Sequence, residues 1–169
     1  YFLNKGMRVV YVDIDAHHGD GVQEAFYTDD RVLTISVHES GQYLFPGTGA
    51  VIEMGVGTGR GYSVNLPLFP YTGDDDYIEG FGQVVPPLIR AFNPDVLVAQ
   101  LGIDSYHRDP LTHLQMTTEG YIEVVRQLIE LGLPLLALGG GGYDVNAVAR
   151  AWTLVYGILL DVEWPNILP

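Results

Sequence analysis

The 169-residue sequence contains no cysteine. That excludes a disulfide framework and any thiolate metal site. It is compatible with a reducing compartment, and a cytoplasmic location is the expectation. Basic residues are scarce: Lys and Arg total 8 against 21 Asp and Glu, for a net charge of -13. Non-specific nucleic-acid binding needs a basic footprint, so direct contact with nucleic acid is not expected. An acidic surface either attracts cationic peptides and polyamines or serves solubility alone. No apolar stretch is long enough to span a bilayer and no secretory signal is visible, so no membrane partner is expected. No internal repeat, linker or low-complexity run divides the chain.

What is present is material for a core. Hydrophobic residues make up 47% of the chain, enough for one domain of ordinary size. The opening Tyr1-Phe2-Leu3-Asn4-Lys5-Gly6 reads as the last turn of a helix with Gly6 as its C-cap. The body of that helix is absent, so residues 1–169 are expected to be the C-terminal part of a single larger domain.

Strand and helix patterns then alternate. A β-rich run at about 8–13 leads to a short helix at about 20–27, and Val32–Val37 reads as a second strand. Residues 39–61 form a Gly-rich excursion, and a third strand is expected at Tyr62–Leu66. Asp74-Asp75-Asp76 places acids at the positive end of a helix reaching about Phe92, with Pro86 and Pro87 disturbing its middle. The apolar runs Asp95–Leu101 and Leu135–Leu138 read as buried strands. Amphipathic helices are expected from Thr117 to about Leu131 and over about Asn146–Leu160. This alternation predicts an α/β fold, a three-layer α/β/α domain around a mainly parallel sheet. Ligands of such sheets bind beyond the carboxyl ends of the strands.

Three polar constellations fall there. The first packs Asp13, Asp15, His17, His18 and Asp20 into eight positions directly after an apolar run. Buried charges of this density need pairing or a metal. Strand alternation starts Asp13, Asp15 and His17 on the same side. Two carboxylates and an imidazole at a strand end suit a hard or borderline cation, the alternative being a polar loop that caps the next helix. The second is Leu101-Gly102-Ile103-Asp104-Ser105, where Asp104 supplies the third protein ligand of a catalytic zinc site that keeps one position open for water. The third is Gly139–Gly142 before Tyr143. Four glycines let backbone approach a ligand closely, and Tyr143 at the lip can donate to an oxyanion. A phosphate loop is a weak alternative, because no Lys or Ser/Thr of a P-loop follows.

Together these segments resemble the zinc-dependent histone deacetylase family, and in particular its bacterial acetoin-utilisation and acetylpolyamine-type members. The matching stretches are Asp13–Gly21, Phe45-Pro46-Gly47-Thr48-Gly49, Gly102-Ile103-Asp104-Ser105, and Gly139–Tyr143 followed by Ala149-Arg150-Ala151-Trp152. They run in family order and cover nearly the whole chain. The resemblance implies an arginase/deacetylase-like sheet and one zinc ion held by Asp15, His17 and Asp104. Tyr143 would donate to the acetyl carbonyl oxygen and then to the tetrahedral oxyanion. Phe45 would wall a narrow tunnel for the acyl-lysine or acyl-amine chain, with Gly141 and Gly142 as further substrate contacts. Asp13 and Asp20 would each orient one member of a catalytic histidine pair. A structural potassium ion would take the Asp13 and Ser36 side chains with backbone carbonyls of Asp13, Asp15, His17 and Val37. A second monovalent site would use backbone near Phe26, Asp29, Val32 and Tyr62. The substrates implied are acetylated lysine in a peptide or an acetylated polyamine, cleaved at the amide by metal-activated water.

The sequence departs from the family in one respect. The family's catalytic histidine pair belongs to a segment before residue 1. The adjacent pair here, His17-His18, is taken by the metal motif, and His38, His107 and His113 stand alone as expected surface or loop residues. The 169 residues alone are therefore expected to have little deacetylase activity, the N-terminal remainder of the same domain being the missing partner. Its absence would also leave an open, aggregation-prone sheet edge. An arginase-like dinuclear ureohydrolase is the nearest rival. It needs an Asp where Gly19 stands and an acid where Tyr106 stands, so a single catalytic metal is favoured. A third reading, a catalytically inactive acyl-group-binding module, is weakened by the presence of Tyr143 and all three ligands.

Overall fold

The computed structural model of the protein describes residues 1–162. Five parallel strands form one sheet: β1 (Val9–Asp13), β2 (Val32–Glu39), β3 (Ser63–Leu68), β4 (Val96–Gln100) and β5 (Leu135–Leu138), in the order β3-β2-β1-β4-β5. The helices are α1 (Asp20–Ala25), α2 (Asp74–Phe92), α3 (Thr118–Ile129) and α4 (Val145–Leu159). Short 3-10 turns occupy Phe2–Lys5 and Gly57–Gly59. Gly6 closes the first of them with φ 77°, the left-handed cap its sequence announces. No helix among the described residues is long and apolar enough to cross a membrane.

Period-two alternation splits the apolar residues between two layers. Val10, Val12, Leu33, Ile35, Val37, Leu97 and Ala99 face one side of the sheet and join Phe81, Val85 and Ile89 of α2, Tyr121, Val124 and Val125 of α3, and Ala151 and Val155 of α4 in the main core. Val9, Val32 and Val96, which stand in register across three strands, face the other side under Phe2, Leu3 and Phe26. The same register carries a row of polar residues at the strand ends: Ser36, Asp13 and Gln100 pair side by side. Successive strands step from β1 to β2 and β3 on one side, then to β4 and β5 on the other. The reversal between β1 and β4 is a topological switch point, where a crevice opens beyond the strand ends.

The helix starts follow their capping chemistry. Thr117 caps α3 by accepting from Gly120 N–H, and Asp144 caps α4 by accepting from the N–H groups of Asn146 and Ala147. Asp74 at the start of α2 accepts from Thr117 N–H at 2.8 Å and from its hydroxyl at 2.6 Å, which ties the heads of two helices together.

Three expectations need correction. The helix over residues 74–92 is continuous through Pro86 and Pro87. Each proline removes one N–H from the helix ladder, but buried Val85, Pro86 and Ile89 hold the helix by packing on the core. The strand Leu135–Leu138 is not buried: as the edge strand of the described sheet it leaves Leu136 and Leu138 about two-fifths exposed. His38 is neither a surface nor a loop residue but a fully buried member of β2. Its ring meets the Ser36 hydroxyl at 2.9 Å and donates towards the Gly49 carbonyl at 3.0 Å. Two polar partners of that kind make burial of an imidazole tolerable, and burial pushes its pKa down to about 4.

Candidate metal centre

Beyond the end of β1 the chain curls instead of continuing. Asp15 N–H donates to Asp13 Oδ1 at 3.1 Å, and His17 N–H donates to Asp15 Oδ1 at 2.9 Å. Each acid bonds the backbone two residues on, the self-turning habit of Asp. The curl takes over from strand geometry after Asp13, and the side chains whose ligand atoms cluster are those of Asp15, His17 and Asp104, without Asp13.

From the adjacent strand, Asp104 arrives on the turn after β4. That turn is held by two helices: the Tyr121 hydroxyl of α3 and the Trp152 indole N–H of α4 both donate to Leu101 O, at 2.7 and 2.8 Å. Asp104 Oδ1 accepts from Ala16 N–H at 2.7 Å, which locks the two loops together. Ligand atoms of Asp15, His17 and Asp104 then all lie within 4.8 Å of one another, the one three-ligand cluster among the described residues. His17 Nδ1 sits 2.8 Å from Asp104 Oδ2 and 3.1 Å from Asp15 Oδ1.

The glycine run supplies the third wall. Pairing continues beyond the end of β4, through Leu101 N–H to Leu138 O at the end of β5 and then Ile103 N–H to Gly141 O. This brings Gly141 N–H within 2.7 Å of Asp15 Oδ2. A Cβ at Gly141 would strike Asp104 Oδ2 and lie 2.8 Å from Asp15 Oδ2, and one at Gly140 would strike the Gln100 side chain. The backbone approach expected of this run is therefore directed at the acids themselves. Gln100 also donates its Nε2 to Asp15 Oδ2 at 2.9 Å while its Oε1 accepts from Gly102 N–H at 2.6 Å.

The electrostatics show groups held together under strain of like charge. Burial raises the Asp104 pKa to about 6, with the Asp15 charge adding to the rise against the bond from His17. Burial pushes Asp15 up too, but bonds from His17, Asp104, Gln100 and the backbone outweigh it and hold Asp15 below the usual carboxylate range. Hydrogen bonds to Asp104 and Asp15 lift His17 to about 10. Two buried carboxylate oxygens and one ring nitrogen thus converge where positive charge is strongly favoured. His17 keeps about a fifth of its side chain exposed on the open side. That donor set fits a zinc ion with a position left for a further ligand.

The remaining expected site residues sort by depth. Asp13 is nearly fully buried, with Oδ2 accepting from the Tyr11 hydroxyl at 2.9 Å and Oδ1 from Asp15 N–H. Burial and the nearby Asp15 charge raise its pKa to about 7. A Cβ at Gly19 would come within 2.6 Å of the Asp13 carboxylate, which leaves glycine as the residue that fits. Ser36, the register partner of Asp13, is buried and accepts from Gly19 N–H at 3.3 Å. Asp20 is exposed in the first turn of α1, its Oδ1 accepting from Gly21 N–H at 2.7 Å. Tyr143 stands at the mouth, half-exposed, its ring 6.5 Å from that of His17 and nearly perpendicular to it. Burial, then the charges of Asp104 and Asp15, raise the Tyr143 pKa. Gly142 follows with φ 146°, and a Cβ there would lie 2.7 Å from Ile103 and Val148 side chains. Phe45 is largely exposed on the Gly-rich excursion.

Only His17 of the adjacent histidine pair joins the trio. His18 points the other way, 2.8 Å from the Thr48 hydroxyl and 3.2 Å from Gln23 Oε1. There it meets a network the sequence does not announce. Gln23 Oε1 accepts from Ser63 and Asn65, and Gln23 Nε2 donates to Glu53 at 2.8 Å. Glu53 in turn accepts from the N–H groups of Gly49 and Ala50, pinning the loop that carries Phe45.

Comparison with known proteins follows the same lines. Residues 1–159 match the model of the histone deacetylase domain. The chain is 45% identical over 162 residues to histone deacetylase 9 of Arabidopsis thaliana, covering 96% of this chain and 38% of that protein. It is 46% identical over 167 residues to human histone deacetylase 1, covering 99% of this chain and 34% of that protein. The chain thus spans little more than a third of the length of these relatives. Among solved structures, a histone deacetylase homologue from Aquifex aeolicus superposes with a TM-score of 0.93 at 37% identity, over 98% of this chain and 45% of that one. A histone deacetylase homologue in complex with SAHA does so equally well, at 36% identity.

Proposed function

The chain belongs to the histone deacetylase family, and on that premise we propose that it hydrolyses the amide of N-acetylated amines with one zinc ion held by Asp15, His17 and Asp104. The observation that carries this reading is the convergence of those three side chains at the switch point between β1 and β4. Zinc, when bound, supplies Lewis-acid chemistry, polarising an amide carbonyl and acidifying water.

The chain's own residues do the rest. Tyr143, like any phenol, carries its proton at neutral pH, and burial and the nearby acids push its pKa further up. Its hydroxyl is therefore a donor for the acetyl carbonyl oxygen and for the oxyanion that replaces it. Gly141 and Gly142 let the backbone lie close against the acids and Ile103, and Phe45 offers an exposed aromatic wall for an aliphatic amine stem. Asp13 and Asp20 are assigned the orientation of a histidine pair that acts as base and acid. Among the described residues His18 and His38 are committed to Thr48, Gln23, Ser36 and Gly49, so neither serves as that base. A polypeptide of these 169 residues alone is accordingly proposed to turn over slowly.

We assign the side chains of Asp13 and Ser36, with neighbouring carbonyls, as those that would hold a potassium ion, and backbone near Phe26, Asp29, Val32 and Tyr62 as that which would hold a second monovalent ion. The support for the first is a deeply buried carboxylate whose charge is disfavoured by burial and by Asp15. The substrate is an acetyl-lysine peptide or an acetylated polyamine in the cytoplasm, and the acidic surface suits either cation.

The test is acetate release by the intact protein from both substrates. Chelation should abolish it and zinc should restore it. Tyr143→Phe should lower kcat by about 10²–10³-fold. Failure of the zinc-loaded protein to release acetate from either substrate would reject the reading.

A further inference from the structure

The loop after β4 reaches across to the loop after β5 at two consecutive positions. Tyr143 N–H donates to Asp109 Oδ2 at 2.8 Å, and Arg108 faces Asp144 at 3.4 Å. Residues 108 and 109 thus clamp residues 144 and 143. The two halves of the clamp differ in strength. Arg108 is well exposed, and an ion pair in water contributes little. Asp109 is buried, only 8% exposed, and its second oxygen accepts from Leu111 N–H at 2.9 Å. Asp109 N–H itself donates to Tyr106 O at 2.8 Å, so the carboxylate is mounted on a closed turn. Charge-assisted bonds from backbone N–H groups to a buried carboxylate are among the stronger ones in a protein.

This anchor sits where it matters. Tyr143 follows four glycines, whose backbone has wide conformational freedom. The Tyr143 ring is half-exposed and so is not held by packing on all sides. Ile103 N–H fixes the run at Gly141, the acidic cap of α4 fixes Asp144, and Asp109 fixes the residue between them.

We propose that Asp109 is a positioning residue for Tyr143, setting the reach of its hydroxyl over the Asp15–His17–Asp104 centre through the bond to the Tyr143 N–H. The inference rests on Tyr143 being the donor to the substrate carbonyl. In Asp109→Asn the amide keeps one acceptor and turns a donor toward the other N–H, so one of the two bonds is lost. A hydroxyl displaced by about 1 Å can lower turnover by up to about 10²-fold.

The experiment is a double-mutant cycle in the intact, zinc-loaded protein, with acetate release as readout. Asp109→Asn should lower kcat by about 10–100-fold with KM changed less than about 3-fold and zinc content unchanged. In the Tyr143→Phe background the same substitution should change kcat by less than about 3-fold, because no hydroxyl is left to misplace. Asp109→Glu, which keeps the charge and shifts the acceptor, should give an intermediate loss that also vanishes in that background; it serves if the Asn variant does not fold. Equal losses with and without the Tyr143 hydroxyl would mean a structural role and overturn the proposal, as would an Asp109→Asn enzyme of normal kcat. If Tyr143→Phe alone leaves kcat intact, it is the role of Tyr143 that fails, and the two failures are told apart.

Discussion

Gly141 donates its backbone N–H to Oδ2 of Asp15 at 2.7 Å, across 126 positions of sequence. The contact makes one strand-end loop the wall of another loop's ligand. A methyl group at residue 141 has no room, since it would meet both Asp104 and Asp15. Gly141→Ala should therefore push the acids apart and weaken zinc binding by about 10–100-fold, the range seen when partners of metal ligands are disturbed. Competition against a chromophoric zinc chelator measures this. An unchanged affinity would show that the glycine run yields without moving the carboxylates.

Metal count separates a mononuclear centre from a dinuclear one. Elemental analysis of the intact protein should give about one zinc per chain, and Asp104→Ala should bring it near zero because two ligands remain. About two manganese ions per chain would contradict the mononuclear assignment.

Gln100 bridges the turn that carries Asp104 and the carboxylate of Asp15. Gln100→Leu strands the Gly102 N–H and removes a donor from Asp15. The loss should be about 1–3 kcal/mol of stability, read by urea unfolding with excess zinc present. Gln100→Glu is the sharper variant, since it adds like charge beside Asp15 and should weaken zinc binding further than Leu does.

The exposed edge of β5 gives a prediction for the 169-residue polypeptide by itself. Leu136 and Leu138 lie partly exposed within β5, the strand at one edge of the described sheet. Such edges recruit other chains. The polypeptide should associate as its concentration rises, and Leu138→Lys should shift that onset to higher concentration in sedimentation velocity runs.

Sequence patterns made much of this readable. The convergence of Asp15, His17 and Asp104 follows from residue types placed at the ends of two apolar runs, and the helix over 74–92 from its acidic start and apolar stripe. What escaped was set by pairing in space. Leu135–Leu138 looks buried because its residues are apolar, yet burial depends on what lies beyond the edge of the sheet. His38 looks like a lone surface histidine because Ser36 and Gly49, which accommodate it, mean nothing until β2 is paired. Gln100 ends an apolar strand without any local mark of its task, and Asp109 beside Pro110 reads as an ordinary turn residue. Strand alternation ends with β1 at Asp13, and the turn beyond it is set by Asp13 and Asp15 each accepting from the backbone two residues on.

The switch point has a consequence for how the protein is made. Asp104 is made some 90 residues after Asp15 and His17, and β4, which delivers it, pairs directly with β1. A nascent chain that ends before Asp104 would offer a cation only two of the three proposed ligands, so capture of the ion would require β4 to be in place beside β1.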